Sequence, residues 1–464
     1  MTPLVNFSKR DAWHVKDAFE GTLILGGTGS GKTTGAGATI AKGLLKRGFG
    51  GLVLTAKPEE IDLWRRRCEE TGRSGDLEVF GEGSDHRFNF VTYELHRLAD
   101  RGVVTESIVD LLITAMESGR RAGGGMSESY WEDACRQLLR SALTLLRFVG
   151  EPVTLPTIAE IIASAAQSPE QLCDAVWQKD SFCAKCLLAA RDVETSIDLK
   201  QAFATTLHYW LQEFPGLGDK TRASIVSMFT ALASTLLQSE LSSLFCRGTT
   251  ISPEDTFHGK ILVLNLPLKR YHAAGHIAQV MFKYLWQRAA EDRGADGVPV
   301  FLWADEAQLF FTRKDAEFQA TARSARVATV YLSQNIPGLL NAVGDQRGGR
   351  SAVDTLLANL NTKVFHQNDD PQTNRWASDL FSKSWQPHVS FNVGEQHYQQ
   401  GEHGQNGERR SHGVTQALDD EVIPREFMTL GRGGGGQAEA IVYQAGRTWE
   451  ASQATHIRVQ FKQQ

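Results

Sequence analysis

Near the N-terminus lies the octapeptide Gly26-Gly27-Thr28-Gly29-Ser30-Gly31-Lys32-Thr33. It matches the G-x-x-x-x-G-K-[ST] pattern of a phosphate-binding loop. A short apolar run, Thr22–Leu25, precedes it and reads as a buried strand, and a helical pattern follows it. Because the glycines let backbone N–H groups converge on phosphate oxygens at a helix N-terminus, this strand–turn–helix context is what the motif requires. The octapeptide therefore predicts an α/β fold around a nucleotide site.

Within this loop, each residue type suits one part of a nucleoside triphosphate. We expect Lys32 to reach the β- and γ-phosphates and the Thr33 hydroxyl to hold Mg²⁺, with Thr34 completing the loop. The alternative is a glycine-rich turn that matches by chance, which both flanks disfavour. Gly26–Thr34 are thus the predicted ATP-binding residues.

A second acidic motif follows an apolar strand far along the chain. Val300-Phe301-Leu302-Trp303-Ala304 runs into Asp305 and Glu306. We predict that Asp305 orients Mg²⁺ and that Glu306 is the general base for an attacking water. The alternative is that the two acids only cap a helix beginning near Ala307.

The next strand-like run, Val327–Leu332, leads into Gln334. A glutamine at the tip of a neighbouring strand can bond both the γ-phosphate and the water, so Gln334 is predicted to sense the nucleotide. Upstream lie Arg323 and Arg326, either of which could reach a neighbouring subunit's nucleotide. Taken by themselves, both are also typical of solvated helix charges.

Strand-like runs occur between residues 22 and 80 and again between 261 and 443, alternating with helical patterns. This alternation predicts an α/β protein with a mostly parallel sheet, a RecA-like P-loop NTPase core. Helical periodicity without strands fills the middle of the chain. We therefore predict a core formed by residues 1–104 and 247–464, split by an all-helical insertion at 105–246.

Composition limits the class of protein. The 464 residues are 41% hydrophobic and 22% charged with a net charge of −5, so DNA contact would need a local basic patch. No apolar run is long enough for a membrane span and no signal core precedes the first strand, which predicts a cytoplasmic protein. A polar, glycine-rich segment at 392–415 is predicted to be a flexible loop. Its Arg409-Arg410 pair and the Arg120-Arg121 pair are weak candidates for DNA contact.

The order of these motifs resembles the HerA–FtsK superfamily of DNA-pumping ATPases, and within it the conjugative coupling ATPases of type IV secretion. The shared features beyond the nucleotide motifs are Phe88-Asn89-Phe90, in which Phe90 replaces the family's proline, Tyr130-Trp131-Glu132 with Ala134, Gly259–Leu264, Glu426-Phe427 with Leu430, and Arg458–Phe461. This chain departs from the family in lacking N-terminal membrane helices. It also keeps the lysine of Thr55-Ala56-Lys57 but lacks the acid that often precedes it.

The resemblance implies a homo-hexameric ATPase, using ATP and Mg²⁺, that translocates DNA through a central pore without sequence preference. It also implies that Arg323 is the arginine acting on the neighbouring subunit's nucleotide, with Arg326 as the alternative. A relaxase, a nuclease or a secretion channel are possible partners. The alternative function is a nucleotide-gated assembly ATPase that recruits such a protein. Conjugation, mobile-element transfer and anti-phage defence all stay open, as does the choice between single- and double-stranded DNA.

Overall fold

The computed structural model describes residues 3–99, 103–119, 128–193, 197–237, 239–343, 349–397 and 406–463. Strands occur at both ends of the chain. They are β1 (Pro3–Asn6), β2 (Ala12–His14), β3 (Thr22–Leu25), β4 (Gly50–Leu54), β5 (Leu77–Gly81), β6 (Ile261–Asn265), β7 (Val300–Asp305), β8 (Val327–Ser333), β9 (Thr362–His366), β10 (Lys383–His397), β11 (Asn406–Asp420), β12 (Gln437–Gln444) and β13 (His456–Lys462).

Helices connect the strands. In the first part they are α1 (Val15–Ala18), α2 (Ala38–Lys46), α3 (Glu59–Glu70) and α4 (Phe90–Arg97). In the middle they are α5 (Val104–Gly119), α6 (Glu128–Val149), α7 (Leu155–Ala163), α8 (Ala175–Asp180), α9 (Phe182–Ala189), α10 (Ile197–His208), α11 (Phe214–Gly216), α12 (Asp219–Leu237) and α13 (Ser239–Phe245). In the last part they are α14 (Pro253–Phe257), α15 (Leu268–Arg293), α16 (Arg313–Thr321), α17 (Ile336–Val343), α18 (Gly349–Asn359), α19 (Pro371–Phe381) and α20 (Pro424–Thr429).

Nine strands form one twisted sheet in the order β13-β12-β9-β3-β8-β7-β4-β6-β5. The seven strands from β9 to β5 run parallel, and β12 and β13 add an antiparallel edge. The predicted α/β class with a mostly parallel sheet is confirmed. Two adjacencies matter for the site: β8 lies between β3 and β7, and β4 is the next strand beyond β7.

Both faces of the sheet are covered, which explains why its strands are continuously apolar. Alternate residues along a strand point to opposite faces. Thus Leu302 on β7 joins one hydrophobic core, whereas its neighbour Trp303 joins a second core on the other face. The second core is completed by α2 and α3 through residues such as Leu44 and Trp64. A sheet held from both sides gives its strand ends a fixed position.

Between Val104 and Phe245 the described residues form helices α5–α13 without a strand. Apolar side chains of this helical region, among them Leu112, Leu139 and Phe229, share one buried cluster with the first face of the sheet. The division into separate domains stays a prediction, because this shared core gives the helices and the sheet a common interior. In the described part of the chain, no helix is long and apolar enough to cross a membrane.

The segment predicted to be a flexible loop is different in the structure. Strands β10 and β11 pair antiparallel from Lys383–Asp420 to His397–Asn406, so residues 392–397 and 406–415 belong to a long two-stranded ribbon. Local composition suggested a loop because Gly, Gln and Asn are poor strand formers. Their pairing is decided by cross-strand register, which composition does not reveal. Residues 398–405 lie outside the described residues.

Candidate active site

The phosphate-binding loop follows β3 and is tied to two neighbouring strand ends. The Gly26 N–H donates to the Ser333 carbonyl at 3.3 Å, and the Gly27 N–H donates to the Gln367 carbonyl at 2.8 Å. Gly29 and Gly31 have φ values of 75° and 89°, which glycine adopts without the strain a side chain would add. The loop therefore has a defined shape at the carboxyl edge of the sheet, where parallel α/β proteins bind ligands.

Thr33 begins a π-helical turn, Thr33–Gly37, that leads into α2. Its hydroxyl donates to Asp305 Oδ2 at 2.7 Å, across 272 residues of sequence. The two oxygens, a hydroxyl and a carboxylate, are the hard donors that Mg²⁺ prefers. The pair predicted to hold the metal ion is thus brought together by the ends of β3 and β7, and its donors fit that ion.

Glu306 occupies the first position after β7 with a left-handed backbone, φ 62° and ψ 51°. Its buried carboxylate accepts a hydrogen bond from Gln308 Nε2 at 2.7 Å and from Gln334 Nε2 at 3.2 and 3.3 Å. Gln334 reaches it because Gln334 directly follows β8, which lies next to β7. Two of the predicted catalytic side chains are therefore in direct contact.

The electrostatic environment keeps Glu306 ionised. Burial disfavours its charged form, but the hydrogen bonds from Gln308 and Gln334 and the charges of Lys32 and Lys57 outweigh this effect. Together they hold the pKa of the carboxyl below its usual range. Lys32, the lysine of the phosphate-binding loop, is itself buried. The site thus presents a carboxylate, rather than a neutral acid, beside the loop.

Three further charged residues of this site were not among the predicted site residues. Lys57, after β4, places its ammonium 3.4 Å from Glu306 Oε1. Arg67 on α3 is buried against the rings of Trp64 and Trp303, and its Nη2 donates to the Thr33 carbonyl at 3.0 Å. Glu60 is buried below the same edge, where burial and the charge of Asp305 raise its pKa to about 8. Only Lys57 had a signal in the sequence, namely its place after the second core strand.

The glycine-rich turn at residues 431–436 packs on the phosphate-binding loop. Arg432 Nη2 donates to the Thr28 carbonyl at 3.2 Å. Gln463, at the end of β13, donates through Nε2 to Thr34 Oγ1 at 2.9 Å. A Cβ atom added at Gly433 would lie 2.3 Å from Gln463 Nε2 and 3.2 Å from the Gly29 carbonyl oxygen, so the glycine permits this close packing. The sequence predicted only a flexible turn here, because the contact joins segments about 400 residues apart.

Neither candidate trans-acting arginine reaches this site within the chain. Arg323 lies in the turn before β8, at the opposite end of that strand from Gln334, with 72% of its side chain exposed and Glu20 3.2 Å away. Arg326 has a left-handed backbone, and its guanidinium donates to the carbonyls of Ala295 and Gly297. Of the predicted DNA-contacting pairs, Arg120-Arg121 lies outside the described residues, and Arg409-Arg410 lies on β11.

The family of type IV secretory system conjugative DNA transfer proteins matches residues 3–378, most of the 464 residues. The chain belongs to this family. The resemblance inferred from the motifs is thereby confirmed. The matched region of the conjugative DNA transfer family includes the phosphate-binding loop, Asp305-Glu306 and Gln334, and ends before the β10–β11 ribbon.

Solved structures of the bacterial conjugative coupling protein TrwB have a similar fold. The trigonal form in complex with sulphate aligns over 99% of this chain and 89% of that chain, with 15% sequence identity and a TM-score of 0.62. The complex with ADP and Mg²⁺ aligns over 98% of this chain and 87% of that chain, with 15% identity and a TM-score of 0.58. Among curated proteins, none is significantly similar in sequence.

Proposed function

We propose that this protein is an ATP-hydrolysing motor that moves DNA in conjugative transfer. The observation that carries the proposal is the meeting of four side chains at one sheet edge: Thr33 with Asp305, and Glu306 with Gln334. Membership of the conjugative DNA transfer family and the fold shared with TrwB, which has been solved with ADP and Mg²⁺, support it. ATP is the proposed substrate and Mg²⁺ the proposed metal ion.

In this proposal, Lys32 binds the β- and γ-phosphates, and Thr33 and Asp305 hold the metal ion or its water shell. When bound, Mg²⁺ neutralises charge on the phosphate oxygens. Gln334 orients a water molecule whose oxygen bonds to the γ-phosphorus, while the bond from that phosphorus to the bridging oxygen of ADP breaks. Glu306 accepts the proton that the water loses. The products are ADP and inorganic phosphate.

We further propose a homo-hexamer in which each nucleotide lies between neighbouring subunits. Arg323 supports this arrangement because it is exposed and far from the nucleotide loop of its own chain. DNA would be held mainly through its phosphates, so binding would be independent of sequence and would weaken as salt rises. A relaxase, nuclease or secretion-channel partner is proposed from the family alone.

The test is phosphate release as a function of DNA concentration. We expect turnover to rise on adding DNA, and this stimulation to fall as salt is raised. Glu306→Gln should still bind ATP but lose roughly 10²–10⁴-fold in turnover, since it removes the general base. Glu317→Gln, which changes an exposed acid on α16, is the matched control.

Turnover that stays constant over a wide range of DNA concentration would contradict the motor. Assembly that depends on ATP but not on DNA, with slow hydrolysis, would favour the recruitment function instead.

A further inference from the structure

Lys57, the lysine of the Thr55-Ala56-Lys57 motif, has no role in the proposed hydrolysis mechanism. It follows β4, the neighbour of the strand that carries Asp305 and Glu306. Its ammonium lies 3.4 Å from Glu306 Oε1, while 44% of its side chain remains exposed to solvent. It is thus a cation that contacts the proposed base from the solvent side.

The backbone on which Lys57 stands is rigid. The Thr55 N–H donates to Gln279 Oε1 at 2.8 Å, and the Thr55 hydroxyl donates to the Leu264 carbonyl at 2.6 Å. The N–H groups of Ala56 and Lys57 both donate to the carboxyl group of Glu60 at 3.2 Å. The half-exposed side chain of Lys57 can therefore change its position while its backbone stays in place.

The two oxygens of Glu306 differ in how firmly they are held. Oε2 accepts the 2.7 Å hydrogen bond from Gln308, whose own Oε1 accepts from the Ser333 hydroxyl at 2.8 Å. Gln308 is therefore held at both ends of its amide. Gln334 Nε2 is shared between the two oxygens, at 3.2 Å from Oε2 and 3.3 Å from Oε1. Oε1 accepts that contact and the 3.4 Å contact from Lys57, both longer than the bond from Gln308 to Oε2. Oε1 is the oxygen that can be released for a water proton.

A carboxylate oxygen has two lone pairs, and in this structure both donors to Oε1 occupy them. A general base must offer one of the two to the attacking water. Gln334 is expected to remain beside Glu306 during the reaction, because it orients the attacking water. Lys57 makes the longest contact and is half-exposed, so it is the donor that leaves at the smallest cost.

We propose that Lys57 is a latch that occupies Glu306 Oε1 in the absence of DNA and is withdrawn by a DNA phosphate. Its exposed ammonium is a point charge of the kind that binds phosphate oxygens. Lys57 is therefore a positioning residue that couples DNA binding to hydrolysis. This proposal rests on the proposed function, because it requires Glu306 to be the base and DNA to be the activator.

The test compares ATP hydrolysis by Lys57→Met and by the wild-type protein, with and without DNA. We expect the DNA-free turnover number of Lys57→Met to rise by about fivefold, which corresponds to ~1 kcal/mol for a half-exposed ion pair. The KM for ATP should stay unchanged. The ratio of DNA-stimulated to DNA-free turnover should fall towards one, because the latch is already absent.

Two variants separate this effect from a general loss of structure. Lys57→Arg keeps the cation and should restore a low DNA-free rate. Lys314→Met is the matched control, since Lys314 is 43% exposed and pairs with Glu317 at 3.1 Å away from the site. It should leave both rates at the wild-type values. Thermal unfolding of all three variants should match that of the wild-type protein.

Lower turnover of Lys57→Met in both conditions would overturn the proposal, because Lys57 would then assist the reaction. Unchanged rates would overturn it as well. The double variant Lys57→Met with Glu306→Gln separates the role of Glu306 as the base from the role of Lys57. If it retains turnover, the proposed role of Glu306 fails. If Glu306→Gln abolishes turnover and Lys57→Met changes nothing, only the latch fails.

Discussion

At the scale of single residues, the backbone of Glu306 is the most constrained feature of the site. Its φ of 62° costs a residue with a side chain roughly 1–3 kcal/mol, and surrounding contacts must compensate. The hydrogen bonds from Gln308 and Gln334 hold the carboxylate in one place. The charge of Lys32, in the phosphate-binding loop, also acts on this carboxylate and favours its ionised form. A strained acid beside a nucleotide loop is consistent with its proposed role as the base.

Glu60 yields a prediction about pH. Burial and the charge of Asp305 raise its pKa from 4.5 to about 8, so the folded protein favours its protonated form. The stability that this group contributes is fully present below pH 4.5 and is lost as pH rises from there to about 8. Between pH 5 and pH 8.5, Glu60→Gln should lose less unfolding free energy than the wild-type protein, by roughly 4 kcal/mol.

Denaturant unfolding at both pH values, without nucleotide or metal ion, measures the difference. Glu59→Gln, on the exposed side of the same helix turn, should keep the wild-type pH dependence. An equal pH dependence in Glu60→Gln and wild type would contradict the role assigned to burial.

At the scale of secondary-structure elements, a buried ion pair joins three elements behind Glu306. Lys283 on α15 pairs with Asp315 in the first turn of α16, and Asp315 also accepts from the Tyr331 hydroxyl of β8 at 2.8 Å. Both charged groups are almost completely buried. Lys283 further donates to the Phe310 carbonyl at 2.6 Å, in the segment that follows Glu306. This network holds α15, α16 and β8 together next to the segment that follows Glu306.

Removing one partner of this pair should be more harmful than removing both. Lys283→Met leaves Asp315 as an uncompensated buried charge, and we expect a loss of ~3–5 kcal/mol in unfolding free energy. The double variant Lys283→Met with Asp315→Leu should recover part of that loss. Chemical denaturation of the two variants checks this. A double variant less stable than Lys283→Met would show that the hydrogen bonds of Asp315 matter more than its charge.

At the scale of the whole molecule, the groups of the proposed reaction site lie at opposite ends of the parallel strands. The phosphate-binding loop, Asp305 and Gln334 lie at the carboxyl ends of the parallel strands. Arg323 lies at the other end of β8, exposed and paired with Glu20. Within one chain these groups do not meet, and in the proposed ring Arg323 would lie beside the next subunit's nucleotide. The hexamer and the role of Arg323 stay proposals.

Mixing two inactive variants tests the shared site. Arg323→Ala should lose roughly 10³-fold or more in turnover if it acts as an arginine finger. Mixed with Glu306→Gln chains, it should regain activity, because those chains supply Arg323 to an intact Glu306. As a control, a chain that carries both substitutions replaces Glu306→Gln in the mixture with Arg323→Ala. This mixture should regain no ATPase activity, because none of its chains supplies Arg323. Absence of recovery with Glu306→Gln would exclude action in trans.

The amino-acid sequence by itself determined the local chemistry of this protein. The spacing of the glycines specified the phosphate-binding loop. Apolar runs that end at Asp305-Glu306 and just before Gln334 specified two strands with polar residues at their ends. Both signals depend only on residues that are neighbours in the chain. The α/β class followed from the same periodicity. The prediction of a flexible loop was wrong for residues 392–397 and 406–415, because strand pairing depends on the register between two strands and not on local composition.

Only the tertiary structure decided which side chains meet. The strand order, with β8 between β3 and β7 and β4 beyond them, brought Gln334 and Lys57 onto Glu306. It likewise placed Arg67 under Thr33 and the glycine-rich turn on the phosphate-binding loop. Each of these contacts links segments tens to hundreds of residues apart. Local sequence patterns do not encode these long-range contacts. The contacts form when the chain folds so that both faces of one sheet are buried.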